Sequence, residues 1–247
     1  MPERKREPFV SAVALPADAA QQREGYPWDL PVVRALARQP LKLHPDLTYF
    51  VGENGSGKST LLEAIAVAAG MNAEGGSSNY RFSTRESHSP LGTSLRLHRG
   101  ARRPRTDFFL RAESLFTSAT YLEQLPDDPL GSYGGRSLHE QSHGESFLAI
   151  LLHRFGANGL YILDEPEAAL STQNCLTFLA RVQQLVHDGS QLIVATHSPL
   201  ILGYPHALIY ECDEYGLQPI AYDDAEPVRL TRSFLGGPEQ FLRNLLD

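Results

Sequence analysis

The sequence contains few cysteines, no long apolar run and no excess of positive charge. Its 247 residues include two cysteines, Cys175 and Cys212, which are too few for a disulfide scaffold and lack metal-ligand spacing. No apolar run approaches the roughly 20 residues that a membrane-spanning helix needs. The charged start of the chain, 1–7, leads into no signal-peptide core. A net charge of −7 excludes a surface that attracts nucleic acid as a whole. We therefore expect a soluble cytoplasmic protein.

A glycine-rich segment at 52–60 fits the phosphate-binding pattern G-x-x-x-x-G-K-[ST]. Glycines let backbone N–H groups converge on phosphate oxygens, Lys58 supplies a mobile positive charge, and Ser59 offers a hydroxyl to Mg²⁺. A strand predicted at 47–51 and a helix predicted at 61–69 give the motif its strand–loop–helix context. The predicted nucleotide-binding residues of this segment are Asn54, Gly55, Ser56, Gly57, Lys58, Ser59 and Thr60.

Two predicted buried strands end in residues that are typical of phosphate chemistry. The apolar run at 159–163 is followed directly by Asp164 and Glu165. In a protein with a P-loop, the first carboxylate at such a strand end holds Mg²⁺, and the second is placed to polarise an attacking water. The strand predicted at 191–196 delivers His197 to the same sheet edge, where ligands bind in parallel sheets.

A further pattern precedes these strands. Ser142 and Glu145 fit a capping box at the start of an apolar helix that includes 147–152. Taken alone, the pattern indicates a helix with a capped N-terminus, and a helix N-terminus is an anion site.

Periodicity and turn signals predict the remaining elements. They are a strand at 8–15, a helix at 32–37, helices at 112–125 and 172–186, a hairpin at 207–222 and a helix at 238–246.

Basic and aromatic residues provide two weaker signals. Predicted strands at 95–99 and 106–110 flank a basic turn, which could contact nucleic-acid phosphates but which we favour as a solvated hairpin tip. The arginines of this turn are Arg99, Arg102, Arg103 and Arg105. Upstream of the P-loop, Tyr26 or Trp28 could stack on adenine, with packing against the core as the favoured alternative.

Four motifs follow one another along the chain: the P-loop, the Ser-x-Gly-Glu helix start, the Asp-Glu strand end and the histidine at a strand end. Their order resembles that of the ATP-binding cassette (ABC) ATPase superfamily. The resemblance covers about 47–199, and the Glu167 form of the segment 164–171 is closer to soluble RecF- and SMC-like ATPases, including compact bacterial AAA/ABC-like ATPases, than to transporter subunits. It implies an α/β P-loop fold with a mostly parallel sheet flanked by helices, an antiparallel β part and a small helical part. It also implies one domain, 1–247, with a helical signature subregion at about 106–155.

The resemblance further implies a mechanism, in which ATP and Mg²⁺ are the cofactors. Two subunits would pair head to tail and trap two ATP molecules, with Ser142, Gly144 and Glu145 approaching the γ-phosphate held by the partner. The implied catalytic residues are Lys58, Glu165 and His197, where Glu165 is the general base and His197 senses the γ-phosphate. The implied metal ligands are Ser59 and Asp164.

The chain departs from the superfamily pattern in three places. The signature begins with Gln141 and carries His143 where glycine is usual, and Ser171 stands where transporters have aspartate. No glutamine occurs between Lys58 and Gln124, so the Q-loop glutamine has no match. Three residues remain open as its substitute, namely Asn79, Ser83 and His88.

Three functions follow from this interpretation. The leading one is a soluble ATPase that works through an ATP-dependent homodimer, in DNA repair or defence, with nucleic acid or another protein as a further partner. The segment 70–142 is too short and too rich in Gly, Pro and Ser for coiled-coil arms. The alternatives are the ATP-binding subunit of a membrane transporter and a nucleotide-dependent switch with little turnover. A small-molecule kinase fits the motifs poorly.

Overall fold

Nine strands form two sheets in the computed structural model, which describes residues 6–21, 23–77, 90–113, 137 and 140–246. The strands are β1 (Val10–Ala14), β2 (Leu41–Lys42), β3 (Leu47–Val51), β4 (Arg96–Arg99), β5 (Thr106–Arg111), β6 (Gly159–Asp164), β7 (Gln191–Ala195), β8 (Leu208–Asp213) and β9 (Gly216–Ile220). A six-stranded sheet has the order β5-β6-β7-β3-β8-β9, and a three-stranded sheet has the order β2-β1-β4.

The six-stranded sheet is parallel except at its last strand. β5, β6, β7, β3 and β8 pair in parallel, and β9 joins β8 as an antiparallel hairpin partner. Side chains along β3 alternate between two cores, since Tyr49 belongs to one buried cluster and Phe50 to the other. A sheet covered on both faces explains why its inner strands read as continuous apolar runs.

Helices cover both faces of this sheet. They are α1 (Ala17–Gln21), α2 (Pro31–Arg38), α3 (Lys58–Ala69), α4 (Pro90–Ser94), α5 (His143–Ala149), α6 (Thr172–His187), α7 (Glu226–Gly236) and α8 (Pro238–Leu246). α3 packs through Leu61 and Ile65 into the cluster that contains Phe50, whereas Phe147 of α5 and Phe178 of α6 pack into the cluster that contains Tyr49. The α/β fold with a mostly parallel, helix-flanked sheet is confirmed.

α5 continues into a π-helical turn, Ile150–Arg154, that the sequence did not predict. Arg181 of α6 holds this turn from the side, donating to the carbonyls of Leu151 and Phe155 at 3.3 and 2.6 Å. A guanidinium with several donors can satisfy carbonyls that a π-helical turn presents irregularly.

The three-stranded sheet is the predicted antiparallel part, but it corrects one prediction. The two strands around the basic turn do not form a hairpin, because β4 pairs with β1 whereas β5 lies at the edge of the six-stranded sheet. The turn between them therefore connects the two sheets. Both strands lie close to their predicted positions, so the error concerns only their pairing.

Most other predicted elements are present, including the first strand, the 208–220 hairpin and the helices at 172–187 and 238–246. The short helices α1 and α4, the strand β2 and the helix α7 were not predicted. Beyond its first two residues, the helix predicted at 112–125 lies outside the described residues, as do the Q-loop candidates Asn79, Ser83 and His88. In the described part of the chain, no helix has the length and apolar character needed to cross a membrane.

The predicted signature subregion, about 106–155, contains both sheet and helix. Its described residues include β5, which belongs to the main sheet, followed later by α5 and the π-helical turn. Residues 114–136 and 138–139 lie outside the described part. The division of the chain into one domain with such a subregion stays a prediction.

Candidate functional site

The P-loop connects β3 to α3 and is shaped by glycines that have no room for a side chain. A Cβ on Gly52 would lie 2.2 Å from the backbone carbonyl oxygen of Cys212, on the neighbouring strand β8. Gly57 has a φ of +94°, and a Cβ there would lie 2.7 Å from a methyl carbon of Val32. Backbone in this conformation is accessible to glycine at little cost, which explains the glycine spacing that the sequence shows.

Lys58 is folded over this loop. It is 3% exposed, and its Nζ donates hydrogen bonds to the carbonyls of Gly52 and Glu53, both at 2.8 Å. Burial lowers the pKa of Lys58, while nearby acidic groups, including Glu165 and Asp164, oppose that change. The ammonium group is thus held at the mouth of the loop, where a phosphate oxygen would replace the carbonyls as its partner.

Ser59 and Asp164 meet at the start of α3. The Ser59 hydroxyl donates to Oδ1 of Asp164 at 3.1 Å, and the carboxylate is 5% exposed. Burial raises the pKa of Asp164 to about 6, against the attraction of the Arg111 guanidinium and the Ser59 hydrogen bond. A hydroxyl and a carboxylate in contact are oxygen donors of the kind that Mg²⁺ accepts together with nucleotide phosphates, so these two residues fit the ion.

Arg111 is a site residue that sequence reasoning missed. Its Nε lies 3.4 Å from Oδ2 of Asp164, and its Nη1 lies 3.1 Å from Oε2 of Glu63 in α3. Arg111 and Asp164 are paired residues at the ends of the adjacent strands β5 and β6. The signal was the strand itself, which the prediction assigned to a separate hairpin rather than to a place beside Asp164.

Glu165 and His197 face each other at the ends of β6 and β7. His197 Nε2 lies 3.4 Å from Oε1 of Glu165, and each side chain is 34% exposed. Nε2 makes no hydrogen bond to any of the described residues. Glu165 has the left-handed φ of +51°, and its backbone N–H donates to the carbonyl of Ala195 at 3.0 Å. A non-glycine residue in this region is uncommon, and here it turns the carboxylate back toward His197.

The signature residues lie at the start of α5, and their capping box is confirmed. The Ser142 hydroxyl accepts from the Glu145 backbone N–H at 3.3 Å, and Oε2 of Glu145 accepts from the Ser142 N–H at 2.9 Å. Ser142 and Glu145 are exposed. A Cβ on Gly144 would lie 2.9 Å from the carbonyl oxygen of Ala169, so α5 begins against the loop that follows Glu165.

The two aromatic candidates upstream of the P-loop differ in exposure. Trp28 is 7% exposed within the core, with the Arg23 guanidinium 4.6 Å from its ring centroid, so it packs as the alternative proposed. Tyr26 is 74% exposed, and its hydroxyl lies 3.0 Å from the Thr60 hydroxyl in α3. Of the pair, Tyr26 alone is both exposed and in contact with the P-loop helix.

Two of the four arginines of the basic turn make side-chain hydrogen bonds to other parts of the fold. Arg99 donates to the carbonyl of Ala69 at the end of α3, at 3.4 Å. Arg102 donates to Oδ1 of Asn158 at 2.6 Å and lies 5.0 Å from the ring centroid of Phe9. Arg99, Arg103 and Arg105 are exposed, and Arg102 is half-buried.

These contacts place one group of predicted residues at a single sheet edge. Ser59 contacts Asp164, and Glu165 contacts His197, at the carboxyl ends of β6 and β7. β7 lies between β6 and β3, the strand that enters the P-loop. Among the described residues, no three His, Cys, Asp or Glu side chains gather as a metal cluster. A P-loop metal site does not require such a cluster, because phosphate oxygens supply part of the coordination.

Residues 33–107 match the family model described as an AAA domain, a range that includes the P-loop and α3. Outside that range, Asp164, Glu165 and His197 complete the ABC order of motifs at the edge that the P-loop occupies. The match covers less than half of the chain, and in the order of its motifs the chain resembles the ABC-type P-loop ATPases.

Solved structures resemble this chain at low identity. The SMC head domain from Thermotoga maritima is 15% identical, with 86% of this chain and 99% of that chain covered at a TM-score of 0.46. The cbiO1 protein from Clostridium perfringens, part of the ABC transporter complex cbiONQ, is 17% identical, with 81% and 88% covered at a TM-score of 0.45. At identities and TM-scores this low, neither likeness indicates what this chain does. A search of curated proteins found no match.

Proposed function

We propose that this chain binds ATP with Mg²⁺ at the P-loop and hydrolyses the nucleotide at the edge where β3, β6 and β7 end. The observation that carries the proposal is the pair of contacts Ser59–Asp164, at 3.1 Å, and Glu165–His197, at 3.4 Å, on adjoining strands. The first pair fits a metal ion and the second fits a reacting water.

Each residue has a distinct part in this proposal. Lys58 exchanges its two loop carbonyls for phosphate oxygens, and Ser59 and Asp164 would hold Mg²⁺, which supplies positive charge to the phosphates. Glu165, one-third exposed, accepts the proton of the attacking water. His197, whose Nε2 has no hydrogen bond to the described residues, contacts the terminal phosphate.

We further propose that two copies pair head to tail, with the exposed Ser142 and Glu145 of one copy facing the nucleotide of the other. The N-terminus of a helix attracts phosphate, and α5 begins at these exposed residues, which supports this arrangement. With Glu167 in the loop, we place the chain nearer to soluble RecF- and SMC-like ATPases than to transporter subunits. We also propose that 1–247 forms one domain and that the protein is cytoplasmic.

Turnover and nucleotide binding are tested separately. Lys58→Ala is expected to weaken binding of a fluorescent ATP analogue, whereas Glu165→Gln is expected to bind it normally and to lose phosphate release by roughly 100-fold or more. Unchanged turnover in Glu165→Gln contradicts the assignment of the base. Wild-type protein that binds the analogue and never releases phosphate favours a nucleotide-dependent switch.

In the basic turn, the exposed Arg103 and Arg105 support a nucleic-acid partner, since the side chains of Arg99 and Arg102 make hydrogen bonds within the fold. The double change to glutamine is expected to weaken DNA binding at low salt and to reduce its salt dependence. No DNA binding by the wild-type protein at low salt would end this part of the proposal.

A further inference from the structure

The loop after β6 carries a third carboxylate, Glu167, within the 3₁₀ turn Pro166–Ala168. Its Oε2 accepts a hydrogen bond from the Thr196 hydroxyl at 2.8 Å, and its Oε1 accepts from the backbone N–H of His197. Both partners lie directly after β7. One side chain therefore ties the loop that carries Glu165 to the loop that carries His197.

The bridge fixes the loop after β7 through a second hydrogen bond. Thr196 is fully buried, and its hydroxyl accepts from the backbone N–H of Ser198 at 3.0 Å while donating to Glu167. The backbone on both sides of His197 is thereby held. The imidazole that extends from this backbone has its Nε2 3.4 Å from Oε1 of Glu165.

We propose that Glu167 is the positioning residue for His197, acting through the backbone of the loop after β7 rather than through its charge. The proposal rests on the proposed function, in which Glu165 and His197 act together at the terminal phosphate. A side chain held on a constrained loop keeps its reacting geometry, and a displacement of about 1 Å at such a site can cost roughly 100-fold in rate.

A competing assignment is that Glu167 takes part in catalysis or metal binding as an anion. Two substitutions separate the assignments. Glu167→Gln removes the charge and keeps the length and one oxygen acceptor, while its amide can still pair with the Thr196 hydroxyl. Glu167→Asp keeps the charge and loses the length needed to reach both partners.

The steady-state experiment measures kcat and KM for ATP in Glu167→Gln, Glu167→Asp and Glu167→Ala, with the exposed Glu239→Gln of α8 as the matched control. We expect the Gln variant and the control to stay within about 3-fold of the wild-type kcat. We expect the Asp and Ala variants to lose about 10- to 100-fold in kcat with little change in KM. A Gln variant as impaired as the Ala variant, or an Asp variant as active as the wild type, overturns the proposal.

A second measurement does not depend on turnover. The ring nitrogens of the nine histidines are followed by ¹⁵N NMR in nucleotide-free protein, with the His197 signals identified by their loss in His197→Gln. We expect the Asp and Ala variants to shift or broaden the His197 signals and leave the other eight unchanged, and we expect the Gln variant to retain them. Undisturbed His197 signals in both the Asp and the Ala variants overturn the proposal.

The two measurements also separate this inference from the proposed function. If the wild-type protein releases no phosphate but the Asp variant disturbs the His197 ring, the positioning role stands and the proposed hydrolysis fails. If the wild-type protein hydrolyses ATP and no Glu167 variant disturbs His197, the proposed hydrolysis stands and the positioning role fails. Should Glu167→Ala not fold, the contrast between Asp and Gln still decides.

Discussion

Asp164→Asn is expected to stabilise the protein above pH 6. The same change is expected to remove the stabilisation that Mg²⁺ and ATP give to the wild-type protein. The carboxylate is 5% exposed, and burial raises its pKa from 3.8 to about 6. The folded state thus binds the proton more tightly than the unfolded state does. The contribution of Asp164 to the free energy of unfolding is highest below pH 4 and falls as the pH rises through the interval between these two values.

The size of this effect follows from the shift. The rise from 3.8 to about 6 corresponds to about 3 kcal/mol, at 1.36 kcal/mol per pKa unit. Arg111 already offsets part of the burial cost, and it keeps Glu63, at 3.1 Å, as a partner when Asp164 becomes neutral. We therefore expect Asp164→Asn to gain about 1–3 kcal/mol at pH 7.5 relative to its difference from wild type at pH 4.

The assay is urea unfolding of both proteins at several pH values from 4 to 7.5, followed by circular dichroism. The wild-type curve is expected to fall over this range more steeply than that of the variant. With Mg²⁺ and a non-hydrolysable ATP analogue, the wild-type midpoint is expected to rise and the variant midpoint to stay nearly unchanged. Parallel pH curves would refute the assignment of a buried, charged Asp164.

Three further predictions test the structure around the site. Arg181→Met removes the donors that hold the π-helical turn, including the 2.6 Å bond to Phe155, so we expect a loss of about 2 kcal/mol in urea unfolding; an unchanged midpoint contradicts this. Gly52 and Gly55 have positive φ values of +151° and +81°, so alanine strains the backbone at both. In addition, a Cβ on Gly52 meets a backbone carbonyl, whereas a Cβ on Gly55 meets nothing within 4 Å. Gly52→Ala should therefore lose more nucleotide affinity than Gly55→Ala in a fluorescence titration, and equal losses would contradict that. Tyr26→Leu is expected to raise the Kd for ATP about 5-fold if the exposed ring stacks on the base; an unchanged Kd excludes that role.

The sequence was sufficient for the parts of the fold that depend on local signals. The strand, glycine loop and helix of 47–69 form a continuous unit, and the capping box at Ser142 is a contact between neighbours in the chain. The strands before Asp164 and His197 are apolar because both faces of the sheet are covered, so their ends could be located from composition.

The pairing of strands could not be read in the same way. β4 and β5 lie seven residues apart in the chain, which suggested a hairpin, yet each joins a different sheet. The pairing of each strand depends on the distant strands that it meets, β1 for β4 and β6 for β5. The pairing of β5 with β6 places Arg111 next to Asp164. The role of Arg111 was therefore hidden until the topology was known.

Two of the charged side chains make hydrogen bonds to residues that are distant in the chain. Arg102 is engaged by Asn158, 56 positions away, and Glu167 is engaged by Thr196, 29 positions away. No local pattern indicates such partners. The sequence identified a basic turn and the segment with Glu167, while the structure shows which of their side chains make hydrogen bonds within the fold.

The most direct test of the central claim is light scattering and phosphate release measured together on wild-type protein and Glu165→Gln, with and without Mg²⁺ and ATP. We expect the wild type to release phosphate, and we expect Glu165→Gln to bind ATP, release no phosphate and become a dimer only when ATP is present. A Glu165→Gln protein that releases phosphate like the wild type contradicts the account. A variant that binds ATP yet stays monomeric supports the nucleotide site and contradicts the head-to-tail dimer proposed around Ser142.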